Sequence, residues 1–154
     1  MHSVLTCIAL HPTGLSRAVW GYHIRHNLDH FEAFFLGLPK GQIDYESRGR
    51  NTMIEELPEV AISALQKYLK QLDALRSHET DEVLQIREKS ESGVEERRWL
   101  TSSVGRELQF LLGHTVHHNA LIAMIVHGHG IDLPSSFGVA PSTQRYEQEH
   151  PASS

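Results

Sequence analysis

Apolar residues recur at steps of three and four along three long stretches of this chain. This period constrains the stretches to helices with one buried face. They cover about residues 16–37, 58–77 and 103–127. Ser16 can cap the first helix, and Pro58 suits the first turn of the second. Because the connections between the helices are long, the pattern predicts a helical bundle with a crossover.

The segments beside these helices carry weaker signals. Residues 1–15 form a short apolar N-terminal segment, and residues 40–53 are polar and rich in turn formers, which indicates a loop. Residues 82–101 hold two short apolar runs around a polar turn; we predict a small β-hairpin, with a solvated loop as the alternative. The composition of residues 134–154 predicts an irregular tail. A length of 154 residues suits a single domain over 1–154 with one core.

Charge and hydropathy argue against two classes of partner. The net charge is -5 with histidines neutral, whereas a nucleic-acid-binding surface needs a dense positive face, so we expect no nucleic-acid partner. The longest apolar run, Ala120 to Val126, is too short to cross a bilayer, so we expect no membrane association. Residues 1–10 have His2 where a signal peptide would need a lysine or arginine, and their apolar part is brief, so we expect a cytoplasmic protein. The single cysteine, Cys7, cannot form an internal disulfide, so nothing indicates an oxidising compartment.

Histidine is the unusual component of this chain, with 12 residues against 14 lysines and arginines together. His114 and His118 lie four residues apart in the most apolar helix, so they share a face and can reach one ion. A metal would satisfy both imidazoles if that face is buried. The alternative is a pair at the edge of the bundle that bonds to water or a carboxylate. From the pair alone, that alternative is at least as well supported.

A third ligand from the first helix would complete a tripod and leave coordination positions open, as catalytic sites do. His26 and His30 have the same four-residue spacing, and spacing alone does not choose between them. Asp29 follows His26 by three residues, and Glu107 precedes His114 by seven, so either carboxylate could orient a ligand from behind.

Four sequence motifs resemble one branch of the DinB-like proteins. They lie in residues 21–31 (GYHIRHNLDHF), 44–51 (DYESRGRN), 102–122 (SSVGRELQFLLGHTVHHNALI) and 137–143 (FGVAPST). The resemblance implies an all-α fold, an up-down-down-up four-helix bundle that is often dimeric. Only a short segment precedes the first motif, so we expect either that the first helix of that bundle is reduced to a stub at about residues 3–10 or that the chain is shortened.

The same resemblance implies one divalent metal ion, either zinc, nickel or iron, on His26, His114 and His118. Relatives in that superfamily include thiol-dependent transferases, so a low-molecular-weight thiol would be a co-substrate. The leading hypothesis is a metal-dependent thiol transferase or hydrolase that acts on an unknown small molecule as a homodimer. Candidate helpers are Asp29 and Glu107 for orientation, with His30 or His117 for proton transfer.

Two other hypotheses remain open at this point. In one, the ion only braces the helices of a non-catalytic stress or interaction protein. In the other, the chain is a plain interaction bundle whose histidines are incidental. An open coordination position would distinguish the enzyme from the metal-braced protein, because a structural site closes its shell with a fourth protein ligand.

Overall fold

The computed structural model describes residues 15–75, 80–87 and 98–151. Its helices and strands, in chain order, are α1 (Leu15–Gly37), a short 3-10 helix (Leu38–Lys40), β1 (Gln42–Asp44), α2 (Met53–Glu56), α3 (Pro58–Ala74), β2 (Val83–Arg87), β3 (Trp99–Ser103), α4 (Val104–His127) and α5 (Pro141–Glu149). The stub helix expected at about residues 3–10 lies outside the described residues.

The three long predicted helices are confirmed as α1, α3 and α4. Pro58 occupies the first turn of α3, where its missing N–H costs no helical hydrogen bond. Ser103 caps α4, since its hydroxyl oxygen accepts a hydrogen bond from the Arg106 backbone N–H at 3.3 Å. None of the helices within the described ranges is long and apolar enough to cross a membrane.

The prediction of an all-α four-helix bundle is wrong. The described residues form five α-helices and a three-stranded mixed sheet in the order β1-β2-β3. The antiparallel pairing of β2 with β3 is the hairpin predicted within residues 82–101. The strand that was not predicted is β1, which pairs in parallel with β2 and buries Ile43 against the sheet's core.

Two further differences concern the segments expected to be irregular. The loop predicted over residues 40–53 contains β1 and leads into the single turn of α2. The tail predicted over residues 134–154 contains α5, which begins at Pro141. β1 spans three residues, too few to show a period, and its pairing with β2 stabilises it. In α5, Gln144 donates to the carbonyls of Ser136 and Val139 in the preceding segment.

Two apolar clusters hold the long helices at separate places. One joins α1, α3 and the second half of α4 through Ile24, Ala61 and Ile122. The other joins the end of α1 to the sheet and the start of α4 through Phe34 and Leu111. The α1 and α4 helices belong to both clusters, so their mutual register is fixed along the stretch that carries the histidines.

The segment before α5 packs closely on α4 through a glycine. Gly138 has a φ of 76°, a left-handed conformation that favours glycine. A Cβ added there would lie 2.5 Å from the backbone nitrogen of Ala120. Gly130 has a similar φ of 74°, but a Cβ there would meet nothing within 4 Å.

We therefore expect Gly138→Ala to destabilise the protein more than Gly130→Ala. Both variants carry the backbone penalty of roughly 1 kcal/mol or more for a left-handed non-glycine residue. Gly138→Ala adds an overlap with α4, which we expect to cost a further ~1–3 kcal/mol. Urea denaturation of the two variants measures the difference, and equal losses would show that the segment does not pack on α4 in this way.

Candidate metal centre

Three histidines from two helices converge in the structure. One ring nitrogen from each of His26, His30 and His114 lies within 4.8 Å of the other two. The ring centroids are 4.0 Å apart for His30 and His114, and 4.7 Å apart for His26 and His30. Because these rings come from α1 and α4, the packing of the two helices creates a group that can hold a metal ion.

His118, the third ligand expected from the resemblance, lies directly beside this group. Its ring centroid is 4.8 Å from that of His26 and 4.4 Å from that of His114. Its Nδ1 lies 3.0 Å from Nδ1 of His23, so one of these two nitrogens donates to the other. The structure therefore brings His26, His114 and His118 together, and adds His30, which spacing could not rank against His26.

Two ring nitrogens in the group, Nε2 of His30 and Nε2 of His114, have an environment that suits a metal ligand. Nδ1 of His30 donates a hydrogen bond to the backbone oxygen of His26 at 2.8 Å, which leaves the lone pair on its Nε2 available. Nε2 of His114 is buried and has no hydrogen-bond partner. A buried polar atom without a partner is costly, and a cation would remove that cost.

Burial keeps the clustered imidazoles neutral. It lowers the pKa of His26 to about 4, that of His114 to about 3 and that of His118 to about 4. Repulsion between the rings adds to this effect, and the guanidinium of Arg48 lowers the pKa of His26 further. Neutral imidazole is the form that binds metals, so the protein maintains the ligand state near neutral pH.

Glu107 contributes to the site through Tyr45 and does not bond to a ligand histidine itself. It is 2% exposed, and its two carboxylate oxygens accept hydrogen bonds from the Tyr45 hydroxyl at 3.0 Å and the Ser102 hydroxyl at 2.5 Å. The Tyr45 ring in turn stacks on His30 with centroids 5.6 Å apart. Burial and the neighbouring carboxylate raise the pKa of Tyr45, so its phenol stays protonated as the donor.

Asp29, the other predicted orienting carboxylate, belongs to an ion pair. One of its oxygens lies 2.5 Å from Nη1 of Arg25, which also bonds Glu55 through Nε. The other oxygen is buried without a hydrogen-bond partner. Burial raises the pKa of Asp29 against the opposing effect of Arg25. This carboxylate therefore serves the contact of α1 with α2, and its bonds do not reach a histidine.

Two residues lie at the outer side of the cluster: His117, which the sequence analysis named as a candidate, and Arg48, which it did not. His117 is exposed, and its ring centroid is 5.1 Å from that of His118. Arg48, from the loop after β1, donates to the Tyr45 carbonyl and places Nη2 3.4 Å from Nδ1 of His26. Tyr45 and Arg48 both lie in the motif at residues 44–51, but only the fold shows that they contact the histidines.

Comparison with known proteins gives one partial match. The chain is 30% identical over 104 residues to FK506-binding protein 5 of Rhizopus delemar. The match covers 68% of this chain but 27% of that protein, so it spans about a quarter of the relative's length. No family model matches the chain. No solved structure matches it either.

The lowered pKa values predict how the metal-free protein responds to acid. Between pH 6.5 and about 4, the unfolded chain protonates its histidines while folded His26 and His118 stay neutral. The unfolded state therefore binds more protons, so stability is fully present above pH 6.5 and falls as the pH drops through this window. Thermal unfolding in the presence of a chelator at a series of pH values measures the decline.

Two variants locate the source of this pH dependence. His114→Gln should show a shallower decline, because it removes one histidine whose pKa burial lowers. His129→Gln is the matched control and should keep the wild-type slope, since His129 is exposed. The same slope in all three proteins would place the pH dependence outside the cluster.

Proposed function

We propose that this chain is a DinB-like metalloprotein that binds one divalent ion of zinc, nickel or iron and uses it in thiol transfer or hydrolysis. The observation that carries the proposal is the convergence of neutral imidazoles from α1 and α4 around the unpartnered Nε2 of His114. The motifs at residues 21–31 and 102–122 support the kinship, and they contain every histidine of the cluster.

His26, His30 and His114 would hold the ion, with His118 as the neighbouring ligand that the resemblance favours. A set of three nitrogen donors suits zinc, nickel and iron better than magnesium or calcium, which prefer oxygen. Three neutral donors leave the charge of a divalent ion uncompensated, so it lowers the pKa of a bound water or thiol toward neutrality.

The chain's own residues would prepare the site for an anionic or thiol substrate. Arg48 sets a positive charge beside His26, where it can bind a carboxylate or a thiolate. Tyr45 and Glu107 hold the ring of His30 from behind. The exposed His117 can exchange protons with solvent, which suits it to relay a proton from the cluster.

The ligand set can be tested by measuring metal content and affinity in single variants. Wild type should bind one nickel or zinc ion per chain, and His26→Ala and His114→Ala should each weaken binding at least ~100-fold, because ligand loss exceeds the effect of losing an outer contact. The matched control is His117→Ala, which removes an exposed histidine of the same helix and should bind normally.

Two further variants decide which histidine completes the set. Weak binding in His30→Ala with normal binding in His118→Ala would select the group whose nitrogens lie within 4.8 Å. The reverse result would select the set that the resemblance implies. Normal binding in both His26→Ala and His114→Ala would remove the proposed site.

A metal brace is the second candidate function, because the same histidines join the two helices that both apolar clusters depend on. Cobalt-substituted protein distinguishes the two. An enzyme of the proposed kind has an open coordination position, so added mercaptoethanol should produce a new thiolate-to-cobalt absorption band. A spectrum that stays unchanged at saturating thiol would favour the brace.

A further inference from the structure

A second concave site lies between α1, α3, α4 and the segment before α5. It is a cavity of about 380 Å³, which falls within the range of small-molecule sites. Its α1 wall contains Ile24 and Phe31, its α3 wall Leu65, and its α4 wall Ile122. None of the clustered histidines lines it, so the cavity uses a different face of α1 and α4 from the metal centre.

The cavity is apolar with a few uncharged polar groups. No acidic, basic or histidine side chain is among the described residues that line it. Its polar groups are amides and hydroxyls, including Asn27, Thr115, Asn119 and Tyr68. Thr115 donates to Asn27 at 3.2 Å, and this bond joins the α1 and α4 walls. Such a lining matches a molecule with an apolar body and an uncharged hydrogen-bonding group.

The charges near the cavity have both signs and lie outside its lining. Burial raises the pKa of Tyr68 to about 12, and the carboxylates of Glu32 and Asp29 contribute to the increase. Nζ of Lys67 lies 5.1 Å from the centroid of the Tyr68 ring, and Asp29 is paired with Arg25, so these groups set no preference for a ligand of either sign. A cation would find no acidic group among the lining residues.

The fourth wall, formed by residues 136–139 before α5, is held by contacts within the protein. Gly138 packs against the backbone of Ala120, as described above. Gln144 of α5 donates from Nε2 to the carbonyls of Ser136 and Val139, at 3.1 Å and 2.8 Å. A wall held by such contacts loses little entropy on binding, so the cavity is preorganised.

We propose that this cavity is a binding site for an uncharged, largely apolar small molecule, separate from the metal centre. The ligand class follows from the apolar walls, the uncharged polar groups and the absence of charged side chains from the described lining. The site does not depend on the proposed metal chemistry.

Fluorescence titration of the full chain tests the proposal with a matched pair of probes. Phenylnaphthylamine is uncharged, and anilinonaphthalene sulfonate has the same aromatic body with a negative group. We expect saturable binding of the uncharged probe at one site per chain, and at least ~10-fold weaker binding of the sulfonate because its charge would have to be buried. Octanol should displace the bound probe at lower concentrations than octanoate.

Variants place the probe in the cavity. Leu65→Trp should fill the space and weaken binding at least ~10-fold, whereas Gln66→Trp adds the same side chain at the next, exposed position of α3 and should bind as wild type. Circular dichroism establishes that both variants fold. His114→Ala should bind the probe normally, which separates this site from the metal centre.

Three results would overturn the proposal. One is the absence of saturable binding of the uncharged probe to wild type. Another is equal or tighter binding of the sulfonate, which would indicate a charged surface site. The third is unchanged binding in folded Leu65→Trp. The probe titration with wild type decides the matter even if that variant fails to fold.

Discussion

The contact between α1 and α4 is the constraint on which the candidate centre depends. It brings imidazoles from both helices together in a partly buried space, where burial lowers their pKa values and repulsion between neighbouring rings lowers them further. The result is a set of neutral rings. One of them, His114, has a buried nitrogen, Nε2, that lacks a hydrogen-bond partner. A protein interior seldom tolerates such an atom unless something else satisfies it. The same features that make the cluster costly in the metal-free state make it a good set of ligands.

The surroundings of the cluster restrict how its rings can turn. His30 is held from one side by the carbonyl of His26 and from another by the ring of Tyr45, which Glu107 anchors. The mixed sheet is what places Tyr45 there, because β1 ends at Asp44 directly before it. Strand β1, which the sequence did not predict, thus contributes to the layer that supports the site. The two apolar clusters pack α1 against α4 before and after the histidines. They therefore fix the register of the two helices and the distances between the rings.

Much of this arrangement could be predicted from the sequence, and the rest depends on contacts between distant segments. The long helices were predictable because apolar periodicity is a local signal, and the spacing of His114 and His118 placed both on one face. The residues of β1 show no period, and their partner Ile86 lies far along the chain. His26 and His30 are equivalent by spacing, so only the packing shows that both face α4. Asp29 was expected to orient a ligand because of its position, but Arg25, one turn earlier, binds it instead.

X-ray absorption spectroscopy of the nickel- or zinc-loaded protein tests the central claim most directly, because it reports the donor atoms themselves. Imidazole nitrogens from both helices should surround one ion, so the spectrum should show a shell near ~2.0–2.1 Å with the multiple scattering of three histidine rings. A shell made of oxygen donors, or one with fewer than two imidazoles, would contradict the claim that α1 and α4 form a metal centre.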